Sequence, residues 1–424
     1  VMTEMVRQSN GYGDQRLYKV WAEHSGETID WYADLLQANG LRLRHEVDNH
    51  TESVRYPIYD VGHSLQMSDT QGAEGVTAKI LKDYGVGLGL SVHYNTALTS
   101  LVKEGEQVVG MIAAVEGGYA RYNAKKGVIV CTGGYSLNKE MLNALQPETV
   151  KMTNINYSYP GSTGDGIKAC LWAGAAMDET HAAMLFDRGA IKPDQVGCDE
   201  QGVLFWMGSQ PFLKVDLNGN RFANESGCYD HILHDAFNLP QMTYAMVWDA
   251  NYIQDMERFD THGCSRMFPH ANGAESVWPL EFNEAVFMSQ YREQGIVVSA
   301  ETIEELADKL GIPQENLNNE LADKQKDEDF GKEPFRLSHL RQAPFEGVRM
   351  SGGYFICTLD GIKINVHMNA VTPQGKPIEG LYVAGDCSGG YFDGSYPNLL
   401  AGCAAGRSVT FGRLAGKLAA HREG

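Results

Sequence analysis

The chain contains no Cys-x-x-Cys pair and no cysteine in a haem-attachment pattern, which speaks against an iron–sulfur cluster. A disulfide framework is not expected either. Cys131, Cys170, Cys198, Cys228, Cys264, Cys357, Cys387 and Cys403 are scattered instead, like small buried side chains in a reducing compartment. That pattern favours the cytoplasm and leaves the compartment open. No run of about 18 apolar residues exists, so no transmembrane segment is expected. Positive charge is scarce: 35 Lys and Arg stand against 54 Asp and Glu, for a net charge of −19. Such a chain is poorly suited to neutralising phosphates, so nucleic acid is not an expected partner. A signal peptide is missing, and Val1-Met2-Thr3-Glu4 opens without an initiator methionine. The chain reads as part of a longer polypeptide, and the missing leader carries no information.

What is present is ordinary in bulk. An apolar fraction of 43% and an aromatic fraction of 10% suit packed domains. A length of 424 residues exceeds what one core holds and predicts two or three domains. Glycine, at 47 of 424 residues against a usual ~7%, points to tight turns or close backbone approach to a ligand.

Leu17, Val20, Trp21, Ile29, Trp31, Leu35 and Leu36 give residues 13–40 a helical period, and a second helix is expected over 75–84. Leu90-Ser91-Val92-His93-Tyr94 alternates like a strand. Residues 99–116 read as a hairpin turning at Glu104-Gly105-Glu106, and 126–131 as a strand buried on both faces. From about 177 to 350 aromatics, prolines and irregular loops dominate, with few clean strands. Thr302 and Glu305 there form a capping box ahead of Ile303, Leu306 and Leu310; Gly311 ends that helix and Pro313 starts the next. Short strands resume at 362–366 and 381–384, before a final helix over about 401–421. The organisation is one α/β unit, 1–176 and 351–424, interrupted by an inserted domain at 177–350.

Two glycine-rich stretches fail as phosphate loops. Gly11-Tyr12-Gly13 follows no strand, and Gly85-Val86-Gly87-Leu88-Gly89 lies after a helix and before a strand, the wrong order. Thr132-Gly133-Gly134 comes directly after a buried strand, where it is either a tight turn or a close approach to a ligand. Ser162-Thr163-Gly164-Asp165-Gly166 either caps a helix or holds a sugar hydroxyl. Gly385-Asp386 puts an acid just past a strand end. Ser395-Tyr396-Pro397-Asn398-Leu399-Leu400 leads into a helix whose N-terminal dipole favours an anionic group. His231 and His234, at i and i+3, have no third ligand, so no metal site is expected.

Five segments in one order resemble the FAD-dependent fumarate reductase / 3-ketosteroid dehydrogenase superfamily: Thr132–Gly134, Thr163–Gly166, Asn218–Glu225, Gly380–Asp386 and Thr410–Gly416. The resemblance covers nearly the whole chain. It implies an α/β fold, a split FAD-binding Rossmann-like domain with an inserted α+β capping domain, and FAD as cofactor. Implied cofactor contacts are Ala97, Thr132, Gly133, Gly134, Asp165, Gly385, Asp386, Asn398, Leu399 and Leu400. The superfamily's opening strand–GxGxxG–helix unit, which holds the FAD pyrophosphate, is missing from this chain.

The chemistry departs as well. Where fumarate reductases place a proton-donating arginine, this chain has Tyr229; where the Glu and Arg feeding it belong, it reads Phe205-Trp206-Met207-Gly208. The C-terminal loop has Ser395-Tyr396-Pro397 in place of a carboxylate-clamping arginine. The resemblance is therefore closer to the ketosteroid branch. It implies Tyr396 polarising a substrate carbonyl, with Ser395 and Pro397 beside it against the substrate. Tyr229 reads either as proton donor or acceptor or as a loop tyrosine packed against the cap, and Trp206 and Phe355 either face the substrate or belong to the core. The expected reaction is hydride transfer between flavin N5 and an activated C=C or CH–CH bond of a small hydrophobic, steroid-like or aromatic enone. Electrons come from a separate donor or donor domain. The alternatives are a fumarate- or acrylate-type reductase and a flavin-deficient, non-catalytic subunit.

Overall fold

The computed structural model describes residues 1–9, 11–45, 62–65, 73–197, 202–227, 229–259, 261, 265–269, 279–320, 326–397, 400 and 402–422. Helix α1 (Gln15–Ala38) starts where the Asp14 side chain accepts the Arg16 N–H, and buries Leu17, Tyr18, Trp21 and Leu36 at helical spacing. The expected second helix extends over Ala73–Gly87. The strand expected at 90–94 does not form, and Leu90, Val92 and Tyr94 are exposed. A strand needs a ladder partner for its N–H and C=O groups, and none of the described residues supplies one here. Strands β1 (Ala97–Glu104), β2 (Gln107–Val115) and β3 (Gly118–Asn123) form an antiparallel meander. Strand β4 (Val128–Val130) follows, then β5 (Thr153–Asn156), helix α2 (Asp165–Trp172) and β6 (Ala183–Phe186).

The middle of the chain is better ordered than its sequence suggests. Strands β7 (Gly189–Ile191), β8 (Val203–Leu204), β9 (Leu213–Asp216), β10 (Thr243–Trp248), β11 (Val297–Ala300) and β12 (Phe345–Ser351) build a six-stranded sheet. Along β10, Tyr244, Met246 and Trp248 enter one core cluster while Ala245 and Val247 enter another. A strand buried on both faces has no polar alternation to read, which is why the sequence shows few clean strands there. Helix α3 (Tyr229–Ala236) packs against β6. Thr302 caps helix α4 (Ile303–Leu310), its hydroxyl accepting the Glu305 N–H at 3.2 Å, and Gly311 ends it in the left-handed region.

Strand β13 (Gly353–Thr358) then returns to the first part of the chain, pairing parallel with β5 and antiparallel with β6. Residues 362–366 make only isolated bridges at Ile362 and Ile364. Strands β14 (Asn369–Val371) and β15 (Pro377–Val383) complete a sheet in which β15 runs parallel to β4, and helix α5 (Cys403–His421) closes the chain. Strand β4 is the open edge of that sheet, with Ile129 exposed.

The two crossings between these parts run side by side. Asp178 N–H donates to Gly361 O at 3.0 Å and Leu359 N–H to Ala182 O at 2.9 Å. His181 Nδ1 lies 2.7 Å from Asp360 Oδ2, and the Tyr135 hydroxyl donates to the same carboxylate at 2.8 Å. The Asp360 hydrogen bond raises the His181 pKa against the opposing effect of burial. A raised histidine stabilises the fold fully below its unfolded value of ~6.5 and loses that contribution as pH rises through the higher folded value. Thermal unfolding of His181→Asn should therefore trail the native chain most at acidic pH. The gap should close above neutrality.

Candidate functional site

The carboxyl ends of β4 and β15 stand together, with Ala384 N–H donating to Val130 O at 3.1 Å. The loops leaving them meet the turn that opens α2: Gly164 N–H donates to Gly134 O at 3.1 Å. Gly133 (φ +73°) and Gly385 (φ +77°) take left-handed conformations, and a Cβ on Gly166 would lie 2.0 Å from Thr132 Oγ1. Thr132, Gly133, Gly134, Asp165, Gly385 and Asp386 thus assemble at one crevice outside parallel strand ends, where open α/β sheets bind ligands. Burial pushes the Asp386 carboxyl up, opposed by the Arg407 guanidinium 3.7 Å away. Arg407, itself buried, donates to Gly385 O and Ser388 O, and its Nε has no partner among the described residues. Asp165 accepts the Thr163 hydroxyl and pairs with Lys168 at 2.9 Å. Ala97 opens β1, which packs along α2.

A cavity of about 340 Å³ lies between α1 and the first turns of α5, lined by Trp21, Ile29, Tyr32, Cys403, Gly406 and Val409. The buried Trp21 Nε1 has no partner among the described residues. An apolar slot with one orphaned N–H donor, beside a glycine crevice with an acid and a buried arginine, fits a dinucleotide bearing a planar ring. FAD is such a group. Gly385, Asp386 and Thr132–Gly134 would hold its sugar–phosphate part. Asn398 and Leu399 lie outside the described residues. Leu400 is fully buried in the first core.

A second cluster lies between β6, β13 and the start of the central sheet. It is organised by a residue that the sequence reading passed over, Arg188. Its guanidinium sits 3.8 Å from the Trp206 ring centroid, 4.3 Å from Phe186 and 5.8 Å from Tyr229. Arg188 Nε donates to Ser209 Oγ at 2.9 Å and Nη2 to Ser265 Oγ at 3.1 Å. The Tyr229 ring tilts over Phe186 at 4.3 Å. Tyr354 is the cross-strand partner of Phe186, and its phenol, raised by burial, is pulled back by Arg188. Replacement of the two superfamily arginines does not leave this cluster without a cation: a whole guanidinium is buried in it. The available signal was Asp187-Arg188 lying between the apolar runs 183–186 and 189–191.

Trp206 and Tyr229 thus both lie around Arg188, while Phe355 does not join them. Phe355 pairs with Leu185 and packs into the first core, leaving the neighbouring Tyr354 beside Arg188. Tyr396 is also a core residue. Its ring packs on Phe392 at 5.3 Å, and its hydroxyl accepts the Ala404 N–H at 3.2 Å, capping α5. Ser395 and Pro397 shape the same cap: Ser395 N–H donates to Phe392 O, and Leu400 N–H to Pro397 O at 2.8 Å.

A buried ionic network backs the cluster. Arg221 bridges Glu225 at 2.7 Å and Asp327 at 3.0 Å, and Lys332 Nζ lies 3.4 Å from Glu225. Burial pulls the Lys332 ammonium down to about 8, against the pull of Glu225. The two carboxyls are held below their ordinary range. Burial alone would raise them, but Lys332 and Arg221 at Glu225, and Arg221 with backbone N–H groups at Asp327, outweigh it.

The sequence profile described as an FAD binding domain matches residues 1–402. The chain belongs to that family. Fumarate reductases and 3-oxosteroid 1-dehydrogenases both stand among its relatives, which places it in the superfamily expected from its motifs. It is 25% identical over 99% of its length to the vinyl phenol reductase of Lactiplantibacillus plantarum, covering 83% of that protein. It is 28% identical over 96% of its length to the NADH:acrylate oxidoreductase of Vibrio harveyi, of which it spans only 37%. The fold is shared with the 3-ketosteroid-Δ4-(5α)-dehydrogenase of Rhodococcus jostii at a TM-score of 0.69 and 19% identity, over 99% of this chain and 83% of that one. The split α/β FAD domain with an inserted cap is confirmed. These comparisons support an FAD-dependent oxidoreductase acting on CH–CH bonds.

Proposed function

We propose that the chain catalyses hydride transfer at a carbon–carbon double bond of a planar substrate bearing an acidic oxygen group, a carboxylate or a phenol. The observation that carries this is the buried Arg188 guanidinium stacked on Trp206 and Phe186. A guanidinium makes charge-assisted hydrogen bonds to an acidic oxygen group, and the surrounding rings suit a flat conjugated one. The names of two relatives, one for a phenol and one for an acrylate, agree with that chemistry.

FAD, when bound, supplies the two-electron redox chemistry. Arg188 orients the substrate and offsets charge that builds on its oxygen as one alkene carbon gains hydride. Tyr229 gives a proton to the adjacent carbon, so that reduction adds one hydride and one proton across the bond. Phe186, Trp206 and Tyr354 keep water out. Electrons enter from a separate donor or from a domain beyond this chain, in line with the 37% share of the acrylate oxidoreductase that it spans. An uncharged ketone polarised by Tyr396 is the weaker reading, because that ring is buried in the first core against Phe392.

The FAD-loaded protein, reduced anaerobically with dithionite, tests this. 4-Vinylphenol, acrylate or cinnamate should reoxidise it at least about tenfold faster than a neutral steroid enone, the least that loss of a charge-assisted contact costs. Reoxidation by the steroid enone alone would overturn the reading.

A further inference from the structure

Asp187 and Lys214 take no part in the chemistry above, yet both are buried beside Arg188. Asp187 Oδ1 accepts the Ser209 hydroxyl at 2.7 Å, and the Ser209 oxygen in turn accepts Arg188 Nε–H at 2.9 Å. Lys214 Nζ lies 3.6 Å from Asp187 Oδ2 and donates to Gln210 O at 2.9 Å. The turn carrying Ser209 is pressed onto this pair. Phe205 N–H donates to Arg188 O at 2.8 Å, and a Cβ on Gly208 would lie 2.3 Å from Asp187 O. The Ser209 hydroxyl therefore has little freedom.

We propose that Asp187, acting through Ser209, fixes the Arg188 guanidinium face-on to Trp206, and that Lys214 keeps Asp187 ionised so that it can do so. An ionised carboxylate is acceptor-only, which forces the Ser209 hydroxyl to point at Asp187 and present its lone pair to Arg188. A protonated Asp187 can donate to Ser209 instead, which frees the Ser209 hydrogen to turn towards Arg188 and loosens the alignment of the guanidinium. Burial pushes the Asp187 carboxyl up, and Lys214 is the first influence opposing it, ahead of the Ser209 hydrogen bond and Arg188. The described charged groups facing Asp187 are Lys214 from β9 and the adjoining Arg188. Behind Lys214 stand Glu225, whose Oε1 lies 3.4 Å from the Lys214 backbone N, and Lys332, which donates to Pro211 O. Asp187, Ser209 and Lys214 are positioning residues, and the inference rests on Arg188 being the substrate's anchor.

The test is Lys214→Met in the FAD-loaded chain. Its kcat/KM for an acidic alkene, divided by that of the native enzyme, should fall at least about tenfold from alkaline to acidic pH as Asp187 takes up a proton. The loss should lie in KM and be absent for the uncharged methyl ester of the same acid. Lys214→Arg should restore a constant ratio, and Asp187→Asn should be impaired at every pH. A constant ratio in Lys214→Met, or an equal loss for acid and ester, overturns the proposal. Ser209→Ala, a smaller change, gives the same acid-against-ester split should Lys214→Met not fold. Crystals of Lys214→Met at alkaline and acidic pH provide a readout free of turnover. Arg188 should leave Trp206 at the lower pH only, and staying stacked at both defeats the proposal even if no acidic alkene proves to be a substrate.

Discussion

Arg188→Met should lower kcat/KM for the acidic alkene by about 10²–10³-fold, the usual effect of removing one group aimed at developing charge. Methionine keeps an unbranched stem against Trp206 and Phe186, so the packing survives while the charge does not. The crevice built by Gly133, Gly385 and Asp386 is untouched, so bound flavin, read from its visible absorbance, should stay at the native level. Lysine should recover only part of the loss, because an ammonium cannot lie flat on an indole as a guanidinium does. Steady-state rates for the acid and its ester check both statements. Unchanged rates for Arg188→Met would remove this residue from the mechanism and return attention to Tyr396.

A second large effect is expected on stability. Arg221 is the common partner of two buried carboxylates, Glu225 and Asp327. Arg221→Met should cost about 3–5 kcal/mol, because it strands charge that has no route to water. Both carboxyls are held below their ordinary range in the folded chain. Their contribution is therefore present above the unfolded values of ~4 and is lost as pH falls through the folded ones. The gap between native and variant in urea unfolding should be widest near neutrality and narrow in acid. A gap that does not depend on pH would assign the loss to packing instead.

Local chemistry made much of the fold legible in advance. The apolar period of α1, the capping box at Thr302 and the turn at Gly105 each depend on a few adjacent residues. The glycine-lined crevice was legible for the same reason, since Thr132–Gly134 and Gly385–Asp386 immediately follow strands. What depends on distant partners was not. Residues 90–94 alternate like a strand but lack a neighbour to pair with. Strand β10 hides its alternation by being apolar on both faces. Phe355 and Tyr354 differ by one residue, which on a strand means opposite faces, and it is Tyr354 that stands by Arg188. Arg188 escaped notice because a buried arginine looks like a surface one until its neighbours are known.

Strands β7 and β12, at the two ends of the central excursion, pair with each other through Ala190 with Met350 and Ile191 with Arg349. The chain leaves and re-enters the flavin-side body at nearly the same place. Pairing of β13 with β5 and β6 closes the same loop, and closure is cheapest once the excursion has collapsed on its own cores. The excursion thus begins and ends side by side, yet it does not hang on that junction alone: Leu233 lies in the first core, Phe237 packs against it, and Gly202 N–H donates to Asn154 Oδ1.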